Sequence, residues 1–176
     1  MSQFNKMYIW VEGPEDQDLF KKIKPLLLKK YKLVHIRERA QEPNKKINSI
    51  ISVNINKGDD NLLVIDADFD SVFCISGKKS AAIRQFPSLT NNNILIIIKE
   101  IEGWYLAGLS DQACKKIGIK PIDNTDSVGK RKFDSIIPKK YSNKIDFMQE
   151  ILKYFEVRVA CQKSTSFNYF FNNFLQ

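Results

Sequence analysis

The chain has 176 residues, of which 43% are hydrophobic and 27% charged, and its formal net charge is +8. This composition is typical of one folded globular domain and excludes a disordered or fibrous chain. No apolar run approaches the roughly 20 residues that a membrane-spanning helix needs, and the amino-terminal residues show no signal-peptide pattern. We therefore expect a cytoplasmic protein without a membrane partner. The positive charge favours nucleic acid as a partner, because a basic surface attracts phosphates over long range.

Cysteine and histidine offer little catalytic chemistry in this sequence. Cys74, Cys114 and Cys161 are far apart, and with the single His35 they match no zinc-site spacing. We interpret the cysteines as reduced, buried thiols. No Ser-His-Asp or Cys-His arrangement can be assembled around one histidine.

The first half of the chain alternates predicted strands and helices. An apolar strand at residues 7–11 runs into Glu12-Gly13-Pro14, and a helix follows with Leu19, Phe20 and Ile23 at helical spacing, which Pro25 should kink or end. A second strand is predicted at 31–36. Isoleucines at helical spacing predict a helix at 44–57, although β-branching weakens it.

Two aspartates end the next predicted strand. The run Leu62-Leu63-Val64-Ile65 predicts a strand buried on both faces, and it leads into Asp66-Ala67-Asp68. Side chains two residues apart on a strand point to one side, so these carboxylates repel each other unless a cation lies between them. Oxygen-coordinated Mg²⁺ is the usual cation for such a site. The alternative is that the aspartates only form a turn after the strand.

A third acidic strand end follows a predicted helix at 72–86. The apolar strand 94–98 leads into Glu100 and Glu102, and then into a helix that contains Trp104, which we interpret as a packing residue. In a parallel sheet the carboxyl ends of the strands share one edge, so the acids at the three strand ends should converge there. This convergence favours a metal site over turn aspartates.

The remaining chain is predicted to be mainly helical. A short helix is expected at 126–137 and a longer one at 142–155. Residues 156–161 fit either a short strand or a continued helix. Phenylalanines from Phe167 to Phe174 recur at helical spacing after a cap at Ser164, Thr165 or Ser166. We predict an α/β domain with a mostly parallel central sheet flanked by helices. Its core would span about residues 5–110, with a helical extension at about 111–176.

These motifs resemble the TOPRIM domain of topoisomerases, primases and overcoming-lysogenisation-defect (OLD) nucleases. A strand followed by Glu12-Gly13, and a later strand followed by Asp66-x-Asp68, match the order of that family's acids. Asp16 resembles the additional acid of the OLD-type branch. The segment 100–107 is similar to the E-x-W-x-x-A segment of small stand-alone TOPRIM-like proteins, and 164–167 to their serine-phenylalanine segment. The resemblance implies a Rossmann-like TOPRIM fold.

Two departures narrow the resemblance. Ser71-Val72 follows Asp70 where topoisomerase-type domains carry a glycine-glutamate pair, which favours the nuclease-like branch. The sequence also contains no G-x-x-x-x-G-K-[ST] motif, so the ATPase of full OLD proteins is missing. The chain would act alone, as a homo-oligomer or with a separate ATPase partner.

The resemblance implies a metal-dependent phosphodiesterase, and we expect a nuclease that cuts or nicks DNA or RNA. Glu12, Asp66 and Asp68 would be catalytic, and these three with Asp16 and Glu102 would bind Mg²⁺ or Mn²⁺. Lys144 and Lys163 flank the carboxyl-terminal segments that resemble the family, and they are the candidates for nucleic-acid binding.

Two alternatives remain open at this stage. A non-catalytic adaptor would keep the fold and bind nucleic acid or a partner ATPase through its basic surface. The intact acidic set disfavours it, because carboxylates repel phosphates unless a metal intervenes. A haloacid-dehalogenase-type phosphatase would need its D-x-D motif on the first strand and a hydroxyl residue two positions after the second aspartate. In this chain the motif follows a later strand, and Asp70 occupies that position.

Overall fold

The computed structural model describes residues 6–68 and 75–175. Predictions that concern Asp70, Ser71-Val72, Cys74 and the start of the helix at 72–86 lie outside the described residues. The chain divides into two compact units, the first extending to Ile96 and the second from Ile97 to Phe174. Each unit is described by itself below.

The first unit is built on a parallel sheet of four strands, which confirms the predicted α/β class. The strand order is β2-β1-β3-β4, and β1 pairs in parallel with both β2 and β3. Mostly apolar sequence places β1, β3 and β4 inside the unit, because a strand covered on both faces has no polar side, whereas β2 at the edge is partly exposed. The strands are β1 (Lys6–Val11), β2 (Leu33–Glu38), β3 (Asp60–Asp66) and β4 (Ile94–Ile97).

Three helices of the first unit alternate with these strands. They are α1 (Pro14–Leu27), α2 (Asn44–Asn56) and α3 (Ile75–Gln85), and a short 3₁₀ turn at Asn91–Asn93 precedes β4. Pro14 begins α1 where its missing N–H has no cost. Pro25 lies inside the last turn, and the helix runs two residues beyond it to Leu27, so Pro25 does not itself end α1. The helix predicted at 44–57 is confirmed as α2.

The second strand begins two residues later than its sequence pattern predicts. Tyr31 N–H donates to the carbonyl of Leu27 at 3.0 Å, so residue 31 still belongs to the turn that closes α1. Its hydroxyl donates to Asp60 Oδ2 at 2.8 Å. The alternating sequence pattern therefore starts before the backbone can pair with β1, and the strand itself runs from Leu33 to Glu38.

One face of the sheet packs against α2 and α3. Trp10 of β1 and Leu63 of β3 are buried against Ile47 and Ile51 of α2 and against Phe86 after α3. The indole N–H of Trp10 donates to Asn61 Oδ1 at 3.2 Å, so the largest side chain of this core has its polar atom paired. This packing fixes the strand ends that carry the acids.

The second unit is helical in its described part. Residues 156–161, which fit either a short strand or a continued helix in sequence, are helical from Val157. The predicted carboxyl-terminal helix is α-helical up to Phe170, and a π-helical turn follows it. Ser164 caps that helix, since its hydroxyl accepts from Phe167 N at 3.3 Å. The elements are α4 (Ile101–Ala107), α5 (Asp111–Ile117), α6 (Lys130–Ser135), α7 (Lys144–Lys153), α8 (Val157–Lys163), α9 (Thr165–Phe170) and the turn Phe171–Leu175.

Trp104 lies at the centre of this second core, as predicted for a packing residue. It is 1% exposed, and its ring contacts those of Phe167 and Phe170 at centroid distances of 4.8 and 5.6 Å. Its indole N–H donates to Ser166 Oγ at 2.8 Å, and that hydroxyl also accepts from Ile98 N at 3.1 Å. The serine-phenylalanine segment therefore anchors α4 to α9.

Across the described ranges, no helix combines the length and the hydrophobicity that crossing a membrane requires. Cys114 is buried and Cys161 half-buried, and both are free thiols. Burial raises the pKa of each of these two thiols, which agrees with the expectation of unreactive cysteines.

Candidate active site

The strand order creates a crevice at the carboxyl ends of β1 and β3. From β1 the chain moves to β2 on one side, and it later returns to β3 on the other side of β1. The connections that follow β1 and β3 therefore leave in opposite directions, and ligands of α/β proteins bind at such a switch point. Glu12 directly follows β1, and Asp66 is the last residue of β3.

A cleft of about 610 Å³ opens at this place in the first unit. Two carboxylates, Glu12 and Asp68, and two cations, Arg39 and Lys78, line it together. The predicted acids of the first and third strands thus share one cavity with two basic residues. The other lining residues are Ile65, Gly77, Ala81, Ala82, Gln85 and Phe86.

Arg39 reaches the cleft because β2 pairs with β1 to its end. Its backbone N–H donates to Val11 O at 2.9 Å, which continues the ladder by one residue beyond the Val11–Glu38 pair. Its guanidinium lies 3.4 Å from Glu12 Oε2. The Glu12 side chain is 58% exposed, so this contact leaves most of the carboxylate accessible.

Lys78 contacts both aspartates of the D-x-D motif. Its ammonium donates to the backbone oxygen of Asp66 at 3.2 Å and lies 3.8 Å from Asp68 Oδ2. The Asp68 side chain is 60% exposed. Its backbone adopts φ 58°, a left-handed conformation that aspartate tolerates better than most residues. Such conformations cost of order 1 kcal/mol or more and are found preferentially at functional sites.

Asp16 is buried at the start of α1. Its Oδ2 accepts from Gly13 N at 3.0 Å, so this acid caps the helix that follows Glu12. Burial raises its pKa to about 6, and the neighbouring charge of Glu12 acts in the same direction. Asp16 is therefore an acid that can hold a proton near neutral pH.

The donor set of this cleft decides whether the predicted metal fits. Within residues 6–68 and 75–175, no group of three or more histidine, cysteine, aspartate and glutamate side chains is arranged to hold a metal ion. The chemistry of the donors still fits magnesium, because Mg²⁺ binds carboxylate oxygens. It usually takes only one or two protein carboxylates and completes its shell with water and substrate phosphates. The exposed carboxylates of Glu12 and Asp68 meet that requirement.

Glu102, the remaining predicted metal ligand, lies in the second unit and is paired there with Lys144. The ammonium of Lys144 on α7 is 2.5 Å from Oε1 of Glu102 on α4, and the Glu102 side chain is 7% exposed. The same ammonium lies 5.8 Å from the ring centroid of Phe133. Nearby, Glu100 accepts from the backbone N–H of Lys130 at the start of α6.

Lys163, the second candidate for nucleic-acid binding, is largely enclosed by its own unit. Its ammonium donates to Leu109 O at 2.8 Å and lies 3.7 Å from Asp111 Oδ1, and its side chain is 11% exposed. Its carbonyl oxygen accepts from the N–H of Thr125 at 2.9 Å. These contacts connect α8 to its neighbours.

Sequence reasoning misses the two cations of the cleft. Arg39 lies just beyond the strand predicted at 31–36, and Lys78 is one of many lysines in a basic chain. A signal for Arg39 exists, because it lies at the end of a strand next to the strand that leads to Glu12. Using that signal requires knowing that β2 pairs with β1, which the pattern of one chain does not reveal.

Comparisons with protein-family models, with curated proteins and with solved structures found no match.

Proposed function

We propose that this chain is a Mg²⁺-dependent phosphodiesterase of the nuclease type that acts on nucleic acid in the cytoplasm. The observation that carries the proposal is the shared cleft, in which Glu12 and Asp68 lie beside Arg39 and Lys78. Carboxylates alone would repel a phosphodiester, and cations alone would bind it without a route to cleavage. The combination suits metal-assisted hydrolysis of a phosphate ester.

Glu12 and Asp68, the two carboxylates that line the cleft, are the residues that would hold the ion, with Mn²⁺ as an alternative to Mg²⁺. When bound, such an ion activates a water molecule and stabilises the oxygen that leaves the phosphate. The protein's own contribution is placement. The parallel pairing of β1 with β3 sets Glu12 near the D-x-D motif, and the buried Asp16 fixes the turn after Glu12 by capping α1.

Arg39 and Lys78 would bind the phosphodiester. Each already lies near a carboxylate of the cleft, at 3.4 Å from Glu12 and 3.8 Å from Asp68. These are loose ion pairs with exposed partners, which contribute little to stability, so exchanging a carboxylate for a phosphate costs little. Glu102 has a different role in this proposal, since its charge is already balanced by Lys144.

The resemblance to TOPRIM domains supports the same function, because the acids at the first and third strands occur in that family's order. We propose the chain as a TOPRIM-like protein of the OLD-nuclease type. It would act alone, as a homo-oligomer or with a separate ATPase.

The test is a cleavage panel over single- and double-stranded DNA and RNA, with Mg²⁺, with Mn²⁺ and with EDTA. We expect metal-dependent cutting or nicking that EDTA abolishes and that Asp68→Asn and Glu12→Gln reduce by orders of magnitude. Asp18→Asn serves as the matched control, since it removes an acid of α1 that pairs with Lys21 and does not line the cleft. Cleavage that survives both chelation and Asp68→Asn would overturn the proposal. Binding of nucleic acid without cleavage of any polymer would instead support the non-catalytic adaptor.

A further inference from the structure

One wall of the cleft is formed mainly by α3, which also carries Lys78. Gly77, Ala81 and Gln85 are spaced four residues apart, so they lie on one face of that helix. The first two have almost no side chain, and a Cβ added at Gly77 would meet nothing within 4 Å. Small residues on the lining face leave an open space beside the acids.

The volume of the cleft exceeds what a phosphate group alone would use. At about 610 Å³ it falls in the size range of pockets that bind whole small molecules. Ile65, Ala82 and Phe86 give it an apolar side, and Gln85 adds an amide that can both donate and accept hydrogen bonds. A fitting ligand therefore combines an anionic group with a flat or apolar one.

The anionic group has a defined place at the charged side. Arg39 Nε is buried without a hydrogen-bond acceptor in the part of the chain that the structure describes. A buried donor in that state has a free-energy cost. The same side chain is 21% exposed, and its guanidinium can bind a phosphate oxygen in the cleft. Lys78 supplies the second positive charge from α3, next to the face that carries Ala81.

We propose that the cleft binds one nucleotide of an unpaired strand, with its phosphate at Arg39 and Lys78 and its base against Ile65 and Ala81. Gln85 would contact the edge of the base. This inference rests on the proposed function and names its substrate class, which is single-stranded nucleic acid or the frayed end of a duplex. A base inside a continuous duplex would first have to leave its stack, at a cost of a few kcal/mol.

The experiment measures binding without catalysis, by isothermal titration of the full chain in EDTA. The probes are thymidine 5′-monophosphate, ribose 5-phosphate and inorganic phosphate. We expect the nucleotide to bind about tenfold or more tightly than the other two, because the base adds apolar contact with Ile65 and Ala81. Arg39→Gln should weaken all three probes, whereas the control Arg84→Gln, an exposed cation of α3, should weaken none.

A second pair of variants tests the space for the base. Ala81→Phe fills the space proposed for the base and should lower nucleotide affinity about tenfold or more, while inorganic phosphate binds as before. Ser80→Phe places the same ring on an exposed position of α3 outside the lining and should change neither. Ala81→Leu, a smaller addition, should give an intermediate loss, and a melting curve of each variant checks that it folds.

The results separate this inference from the proposed function. Equal affinity for nucleotide and phosphate, or unchanged nucleotide affinity in a folded Ala81→Phe variant, overturns the base-binding cleft even if the enzyme cleaves nucleic acid. Cleavage of duplex at least as fast as cleavage of single strand also overturns it. Selective nucleotide binding by a protein that cuts no polymer would retain the cleft and reject the phosphodiesterase.

Discussion

Lys144 and Glu102, two residues to which sequence reasoning gives separate roles, form one buried ion pair across α7 and α4. Their charged atoms are 2.5 Å apart, with 21% and 7% of the side chains exposed. Removing one partner leaves the other charge without compensation in a poorly hydrated place. We expect Lys144→Met to lower the free energy of unfolding by about 3–5 kcal/mol, measured by urea denaturation.

The double variant Lys144→Met with Glu102→Gln is the control for this pair. It removes both charges and should recover much of the lost stability, because no unpaired charge remains. If Lys144→Met were as stable as the parent and bound nucleic acid more weakly, Lys144 would be a surface contact and not half of a structural pair.

The metal ligands can be tested by stability without knowing the substrate. Asp68→Asn keeps a side chain that tolerates φ 58° and removes one carboxylate from the cleft. We expect its melting temperature in EDTA to equal or slightly exceed that of the parent, since fewer like charges meet there. The rise in melting temperature that Mg²⁺ or Mn²⁺ gives the parent should largely disappear, because a ligand stabilises only the state that binds it.

Asp18→Asn is again the matched control, and it should respond to metal as the parent does. A purely structural Asp68 predicts the reverse pattern. Stability would fall in EDTA, and the response to metal would be intact in the variant.

The buried acid Asp16 predicts a pH dependence of stability in metal-free buffer. Its pKa rises from an ordinary value of 3.8 to about 6 in the folded chain, so the folded chain binds this proton more tightly than the unfolded chain does. The stability it confers is complete below pH 3.8 and is lost as the pH rises through about 6. Asp16→Asn keeps an oxygen for the Gly13 N–H and cannot ionise.

We therefore expect Asp16→Asn to exceed the parent in stability at pH 7 by up to roughly 3 kcal/mol, with the difference vanishing near pH 4. Urea unfolding of both proteins in EDTA across this pH range measures it. A variant that is less stable than the parent at pH 7 would show that the cap needs the ionised carboxylate.

The single histidine of the chain gives a fourth prediction. His35 on β2 stacks on Tyr8 at a centroid distance of 4.8 Å, and burial followed by the charge of Arg37 lowers its pKa below the ordinary 6.5. Lys6 and Lys24 add to this effect. We expect Arg37→Gln to raise the pKa of His35, as measured by NMR titration of the only imidazole in the protein. A pKa that does not move in the variant would exclude Arg37 as a cause and leave burial with the charges of Lys6 and Lys24.

Sequence is informative where local pattern decides the structure. The apolar runs that become β1, β3 and β4 predict buried strands, and their alternation with helices predicts a parallel sheet. Ser164 is one of three candidate caps in the sequence, and the position of its hydroxyl before α9 selects it. Pro25 is predicted to kink or end α1, and the helix ends two residues after it.

The cleft shows where sequence pattern is insufficient. Strand ends alone predict that Glu12 and the D-x-D motif meet. They do not predict Arg39 and Lys78, because the positions of these two cations depend on the register between β1 and β2 and on the orientation of α3. The pairing of Glu102 with Lys144 likewise joins residues 42 positions apart and leaves no local mark in the sequence. Contacts of this kind are determined by tertiary packing.

The two tryptophans of the chain form a natural pair of optical reporters. Trp10 lies in the core of the first unit and Trp104 in that of the second, each 1% exposed. Each indole N–H is bound within its own unit, to Asn61 or to Ser166. Replacing either indole by phenylalanine leaves an emission signal that belongs to one unit. Coincident denaturation curves from the two single-tryptophan proteins would mean that both units unfold in one cooperative step. Separate curves would show which unit unfolds first.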